Sequence, residues 1–151
     1  MNNEWTVAAA EALTVAKRLA PAKCPRPDPD VAELWGEQIA ASGLPRQVWV
    51  QAAKLWATEL VDDHLDFKQL YGAARTVIRR MESGTYEQRL WVEQWRARRL
   101  QDRYRALGLG DGGVEIPSAP QDRSLPPDRR ADEQFLAQLR SAQQNANKGA
   151  S

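Results

Sequence analysis

The side chains best equipped for chemistry are few. Asp62, Asp63, His64 and Asp66 form the one dense group of carboxylates and imidazole, and His64 is the sole histidine. Such a group could hold a divalent cation or move a proton. It lacks the glycine-bearing pattern of a calcium loop, and no second acidic cluster stands at a matching position. An aspartate-rich turn ahead of a helix is the simpler reading. Cys24 is the only cysteine, so no internal disulfide can form, and one Cys with one His falls short of the usual zinc set. Nothing here pairs a nucleophile with a base or cradles a phosphate. The expectation is a protein that is not an enzyme, with no cofactor and no metal.

What remains is recognition chemistry. Trp35, Trp49, Trp56, Trp91 and Trp95, five of the six tryptophans, fall between Ala32 and Arg105. Residues 68–107 carry ten Lys+Arg against four Asp+Glu, whereas residues 1–67 carry six against ten. A basic block of this kind suits an anionic or acidic partner, or is a solvated helix face. On the helix expected from about Tyr86 to Leu107, steps of roughly 100° put Tyr86, Leu90, Ala97, Leu100, Tyr104 and Leu107 on one side. Trp91 and Trp95 fall nearly opposite, with Arg98 and Arg105 beside them and Arg99 on the other flank. If the first stripe is the buried one, the two indoles stay wet. They would then anchor a protein partner, or stack on unpaired bases while arginines neutralise phosphate. A helix buried on both sides, or paired with a second copy, is the third reading. Arg75 and Arg79 carry the basic character onto the preceding helix. With Arg96 and Arg103 they are the candidate nucleic-acid contacts. Trp35, Trp49 and Trp56 lie on apolar stripes and read as core.

These residues need helices to position them. Thr6 to Leu19 is an Ala-rich helix with Val7, Leu13, Val15 and Leu19, expected to cover an open side of a bundle. Pro21, Pro25, Pro27 and Pro29 enforce an extended connector. Asp30 with Glu33 resembles a capping box ahead of Val31, Leu34, Trp35 and Ile39, and Ser42-Gly43 ends that helix. Leu44-Pro45 starts the next, with Val48, Trp49, Ala52, Leu55, Trp56 and Leu60 as its stripe. Asp66 caps a fourth, whose stripe is Phe67, Leu70, Tyr71, Ala74, Val77, Ile78 and Met81. Thr85 with Gln88 looks like a second capping box, opening the fifth.

The fold class is therefore all-α, a small helical bundle with a long basic fifth helix and a flexible C-terminal extension. A helical domain is expected over 1–107, with its core in 30–83 and the basic helix in 85–107. The Gly- and Pro-rich stretch 108–128 reads as a flexible linker. A short helix follows to about Gln143 within 129–151, with disorder from Asn145 to Ser151. Its large apolar residues, Phe135, Leu136 and Leu139, could fold into a groove on a partner. No apolar run approaches the ~20 residues needed to span a bilayer. Glu4 stands where a signal peptide would be basic. With the lone cysteine, this points to a cytoplasmic protein.

The segments Glu33-Leu34-Trp35, Ala52-Ala53-Lys54-Leu55-Trp56 and Leu70-Tyr71-Gly72-Ala73-Ala74-Arg75, running on to Arg79-Arg80, stand in this order between Val31 and Met81. Over that third of its length the chain resembles the helical N-terminal domain of bacteriophage replicative-helicase loader/inhibitor proteins. It departs from them between Asp62 and Phe67, where it has no proline. The resemblance implies a non-enzymatic phage or prophage replication accessory protein. It would bind the replicative helicase and modulate its loading, with a flexible C-terminal portion engaging the hexamer. On that reading Trp91, Trp95, Arg98, Arg99, Phe135, Leu136 and Leu139 are the partner contacts. The alternative is a small nucleic-acid-binding regulator that grips DNA through Arg75, Arg79, Arg96 and Arg103.

Overall fold

The computed structural model describes residues 3–26, 28–61, 63–117, 125–126 and 129–149. Its elements are α1 (Glu4–Leu19), α2 (Pro29–Ser42), α3 (Val48–Leu55), α4 (Phe67–Glu82), α5 (Tyr86–Ala106) and α6 (Arg129–Gly149), with a π-helical turn, Trp56–Leu60, continuing α3. No strand occurs among the described residues, so the all-α expectation holds. No helix among them is long and apolar enough to cross a membrane. The chain divides into two compact units, the boundary falling within α4: residues 1–77 with 127–151, and residues 78–126.

In the first unit α1 is central, where the sequence suggested a cover. It packs against α2, α3, the π turn and α6. Its buried face is Ala8, Ala9, Ala12, Leu13 and Ala16. An alanine face buries little area per residue, which explains the weak amphipathic signal. It also lets neighbouring backbones come close. Gly36 of α2 marks a close approach: a β-carbon there would stand 2.9 Å from the Thr6 backbone. Leu13, Ile39, Val48, Trp49, Trp56 and Leu70 are sealed from solvent. The Phe67 ring joins three elements, lying edge-on to Trp35 (5.9 Å) and stacked near Trp49 (5.7 Å). Trp35, Trp49 and Trp56 are thus core residues, as their spacing indicated.

The helix starts follow from local chemistry. Asn3 Oδ1 accepts the Thr6 N–H at 2.8 Å and opens α1. Asp66 Oδ1 does the same for Gln69 at 2.7 Å ahead of α4. The cap of α2 lies two residues before the expected Asp30: Asp28 Oδ1 accepts the Val31 N–H at 2.9 Å. The fixed φ of Pro29 suits the first helical position, which makes Asp28 the last residue outside the helix. Pro45 does not open α3. It sits in a preceding turn, where Val48 N–H reaches the Pro45 carbonyl at 3.3 Å, and the α-helix starts at Val48. The π turn then inserts extra residues per turn and carries Leu60 off the stripe, leaving it exposed. The proline connector is not extended at its start: Pro21, Ala22 and Lys23 form a turn in which the Lys23 N–H reaches the Ala20 carbonyl at 3.1 Å, and Lys17 Nζ donates to the carbonyls of Pro21 (2.8 Å) and Cys24 (3.2 Å). α6 runs to Gly149, past the expected end near Gln143, so Asn145 to Gly149 are helical.

The second unit is organised around α5. The Thr85–Gln88 capping box is complete: Thr85 Oγ1 accepts the Gln88 N–H (3.2 Å) and Gln88 Oε1 accepts the Thr85 N–H (2.9 Å). At the other end Gly108 takes φ 75°, the Gly108 N–H reaches the Arg105 carbonyl and the Leu109 N–H reaches the Tyr104 carbonyl. This paired closure reverses the chain.

Candidate interaction surface

The exposure of α5 departs from the one its spacing suggested: Leu90, Ala97 and Tyr104 of the expected inner stripe are only half-buried. Trp91 is 8 % exposed, and Val92 and Gln94 are buried beside it. Tyr86, Leu100 and Leu107, expected inside, are exposed. The expectation of two wet indoles therefore fails for Trp91, which is not available as a partner contact. Trp95 is half-buried, and the Arg99 guanidinium lies 5.7 Å from its ring centroid. Arg98 is half-buried and Arg99 exposed. The reason is that α5 carries large apolar side chains on both faces, so periodicity alone selects no inside. Which face is buried is then set by the packing of the unit around the helix.

The stretch expected to be a flexible linker seals part of this helix. Gln101 Nε2 donates to the Val114 carbonyl at 2.9 Å, and Gln94 Nε2 donates to the Pro117 carbonyl at 3.1 Å. The two glutamines are a heptad apart, about 10 Å along the helix. The three extended steps from Val114 to Pro117 also span about 10 Å. The matched rise lets residues 114–117 run back along α5 as a strap. Gly112 makes the return possible. It sits at φ 65° against the Tyr104 ring, where a β-carbon would overlap. The two amides also account for Gln94, the only polar residue in the buried set among the described residues. The flexible-linker expectation is thus revised for residues 108–117. Residues 118–124, 127 and 128 lie outside the described ones.

The opposite face of α5 carries a line of exposed residues: Arg89, Glu93, Arg96, Leu100, Arg103 and, just past the helix, Leu107. They follow steps of four and three, so they form one stripe. Arg96 is ion-paired with Glu82 on the same unit. Leu100 and Leu107 are 41 % and 68 % exposed. Arg96 and Arg103 were singled out from sequence as phosphate contacts. Arg89 was not, and its signal was the seven-residue repeat of arginine.

The other candidates are separate. Arg75 is exposed in the first unit, its guanidinium 5.9 Å from the Tyr71 ring, and Arg79 is exposed near the end of α4. On α6, Phe135 and Leu139 are half-buried and Leu136 is exposed. α6 packs on α1, α3 and the π turn, with Lys54 Nζ 4.6 Å from the Phe135 ring centroid. The apolar cluster of the tail thus rests on its own unit.

Two carboxylates of the acidic turn are engaged with nearby backbone. Asp63 Oδ1 accepts the His64 N–H at 2.7 Å, Asp66 caps α4, and Asp62 lies outside the described residues. Among the described residues no three His, Cys, Asp or Glu side chains gather as a metal site would require. Cys24 is buried, its thiol directed at the Leu13 carbonyl (3.7 Å). Burial pushes the thiol pKa up, against a smaller opposing pull from Lys17. The thiol therefore stays neutral at pH 7 and is a poor nucleophile. Comparison with protein-family models, with curated proteins and with solved structures finds no match.

Proposed function

We propose that this protein is a non-enzymatic accessory factor that docks on another protein through the outer stripe of α5. The partner class is the replicative helicase implied by the resemblance of Val31–Met81 to phage helicase loader/inhibitor proteins. The observation that carries the docking surface is the exposed line Arg89, Arg96, Leu100, Arg103 and Leu107. Guanidinium groups flanking exposed leucines are the composition of a protein interface, where arginine is enriched and apolar area is covered. A single-strand binding surface would instead need open aromatic faces. Trp91 is buried and Trp95 is covered in part by Arg99, which weighs against stacking. The exposed Leu136 of α6 is a second contact on the same reading.

The test is a titration of the full chain against purified replicative helicase, with duplex and single-stranded DNA as parallel ligands. Replacing Arg89, Leu100 and Arg103 together by alanine should weaken helicase binding at least about tenfold while the thermal melt is unchanged. Absence of helicase binding, or equal binding by the variant, rejects the proposal. DNA binding whose logarithm falls steeply with the logarithm of salt would instead favour the nucleic-acid regulator.

A further inference from the structure

The first unit carries a stripe that complements the one on α5. On α2 the buried residues are Ala32, Trp35, Gly36 and Ile39. The opposite face presents Asp30, Glu33, Leu34, Glu37 and Ala41, all exposed. Leu34 is 55 % exposed, more than Leu100, and acidic residues stand on both sides of it. Glu33 and Glu37 flank Leu34 on α2 as Arg103 and Arg96 flank Leu100 on α5. Laid antiparallel, the two helices set Glu33 against Arg103, Leu34 against Leu100 and Glu37 against Arg96. Each contact would cover an exposed leucine and pair opposite charges across it. Leu34 and Leu100 are both exposed.

We infer that the α2 stripe of one copy docks on the α5 stripe of a second copy. The two surfaces differ, so the contact is head-to-tail. Each added copy leaves one α2 and one α5 stripe open, and growth continues past the dimer unless a ring closes. One helix laid on one helix buries less than a stable interface needs, so the association is weak and concentration-dependent. The charge pairs are exposed and lose most of their attraction as the screening length drops from about 10 Å at 0.1 M salt to about 3 Å at 1 M. This self-contact does not depend on the helicase reading. If both hold, the partner competes with the second copy for α5.

Sedimentation velocity of the full chain, over a range of concentration and salt and with no partner present, tests the contact. Wild type should gain mass with concentration at low salt and lose it at high salt. Two variants carry the decision: Glu33→Lys with Glu37→Lys, and Arg96→Glu with Arg103→Glu. All four residues are exposed, and circular dichroism checks that each variant stays folded. Each variant alone should self-associate at least about tenfold more weakly than wild type. Mixed in equal amounts they should associate again, because the reversed α2 of one then meets the reversed α5 of the other. A wild type that stays monomeric at low salt, an α2 variant that associates like wild type, or a mixture that stays dissociated overturns the inference. The α2 variant retains the α5 stripe, so its undiminished binding to helicase would leave the proposed function standing even if self-association failed.

Discussion

α4 and α5 follow one another in the chain, yet the buried face of one is readable from spacing and that of the other is not. Every large apolar residue of α4 falls on one face, with Lys68, Arg75, Arg79 and Arg80 elsewhere. Leu70, Ala73, Ala74, Val77, Ile78 and Met81 are buried as that pattern requires. α5 has Leu90, Leu100, Tyr104 and Leu107 on one side and Trp91, Val92 and Trp95 on the other. Two apolar faces leave the choice of inside to tertiary context. The lesson is that contrast between faces, more than apolar content, makes a helix legible.

The sharpest way to break this comparison is truncation at matched positions. Leu70→Ala should cost about 2–5 kcal/mol and Trp91→Ala about 3–5 kcal/mol, since both residues are buried. Leu100→Ala should stay within about 0.5 kcal/mol. Urea unfolding measures all three. A neutral Trp91→Ala together with a costly Leu100→Ala would restore the face first read from the sequence.

A somewhat smaller effect sharpens the account of the strap. Gly112→Ala forces a side chain into the left-handed region and into the Tyr104 ring. It should cost about 1–3 kcal/mol and speed amide hydrogen exchange in residues 110–116. Gln94→Ala removes the donor to Pro117 and should release the same segment. If exchange there is already as fast as in an unstructured chain, the strap is not held by these amides.

Legibility followed physical locality. The capping box at Thr85–Gln88 and the cap at Asp66 were readable because a side chain and an amide three residues apart decide them. The core status of Trp49 and Trp56 was readable because their stripe is one-sided. The central place of α1 was hidden, because an alanine face has little apolar contrast and its worth lies in the close approach at Gly36. The strap was hidden because glycines and prolines look alike in a linker and in a designed reversal. Only the side chains of Gln94 and Gln101, far away in sequence, separate the two cases. At the candidate surface the arginines were visible and their orientation was not.

The tail extends the comparison to α6. Phe135 and Leu139 are half-buried against the first unit, so Phe135→Ala with Leu139→Ala should lower stability by about 1–2 kcal/mol. The cation–π contact from Lys54 accounts for about 0.5–1 kcal/mol of that. Leu136→Ala should leave the melt unchanged, because the residue is exposed. An unchanged melt for the double variant would mean that α6 rests only loosely on its unit and that its apolar cluster is free for a partner.

The finest distinction concerns where α2 starts. Asp28→Ala removes the acceptor for the Val31 N–H and should cost about 1 kcal/mol. Asp30→Ala, inside the first turn, removes only a favourable charge near the helix N-terminus and should cost a few tenths, up to about 1 kcal/mol at low salt. High salt should shrink the Asp30 effect, while the hydrogen bond from Val31 keeps most of the Asp28 effect. The salt dependence thus separates the two roles even where their sizes overlap. The reverse pattern would move the cap to Asp30 and make Pro29 part of the connector. Glu33 and Glu37 would then keep their spacing but lose about half a turn of helix behind them, which weakens the rigidity of the acidic stripe on α2.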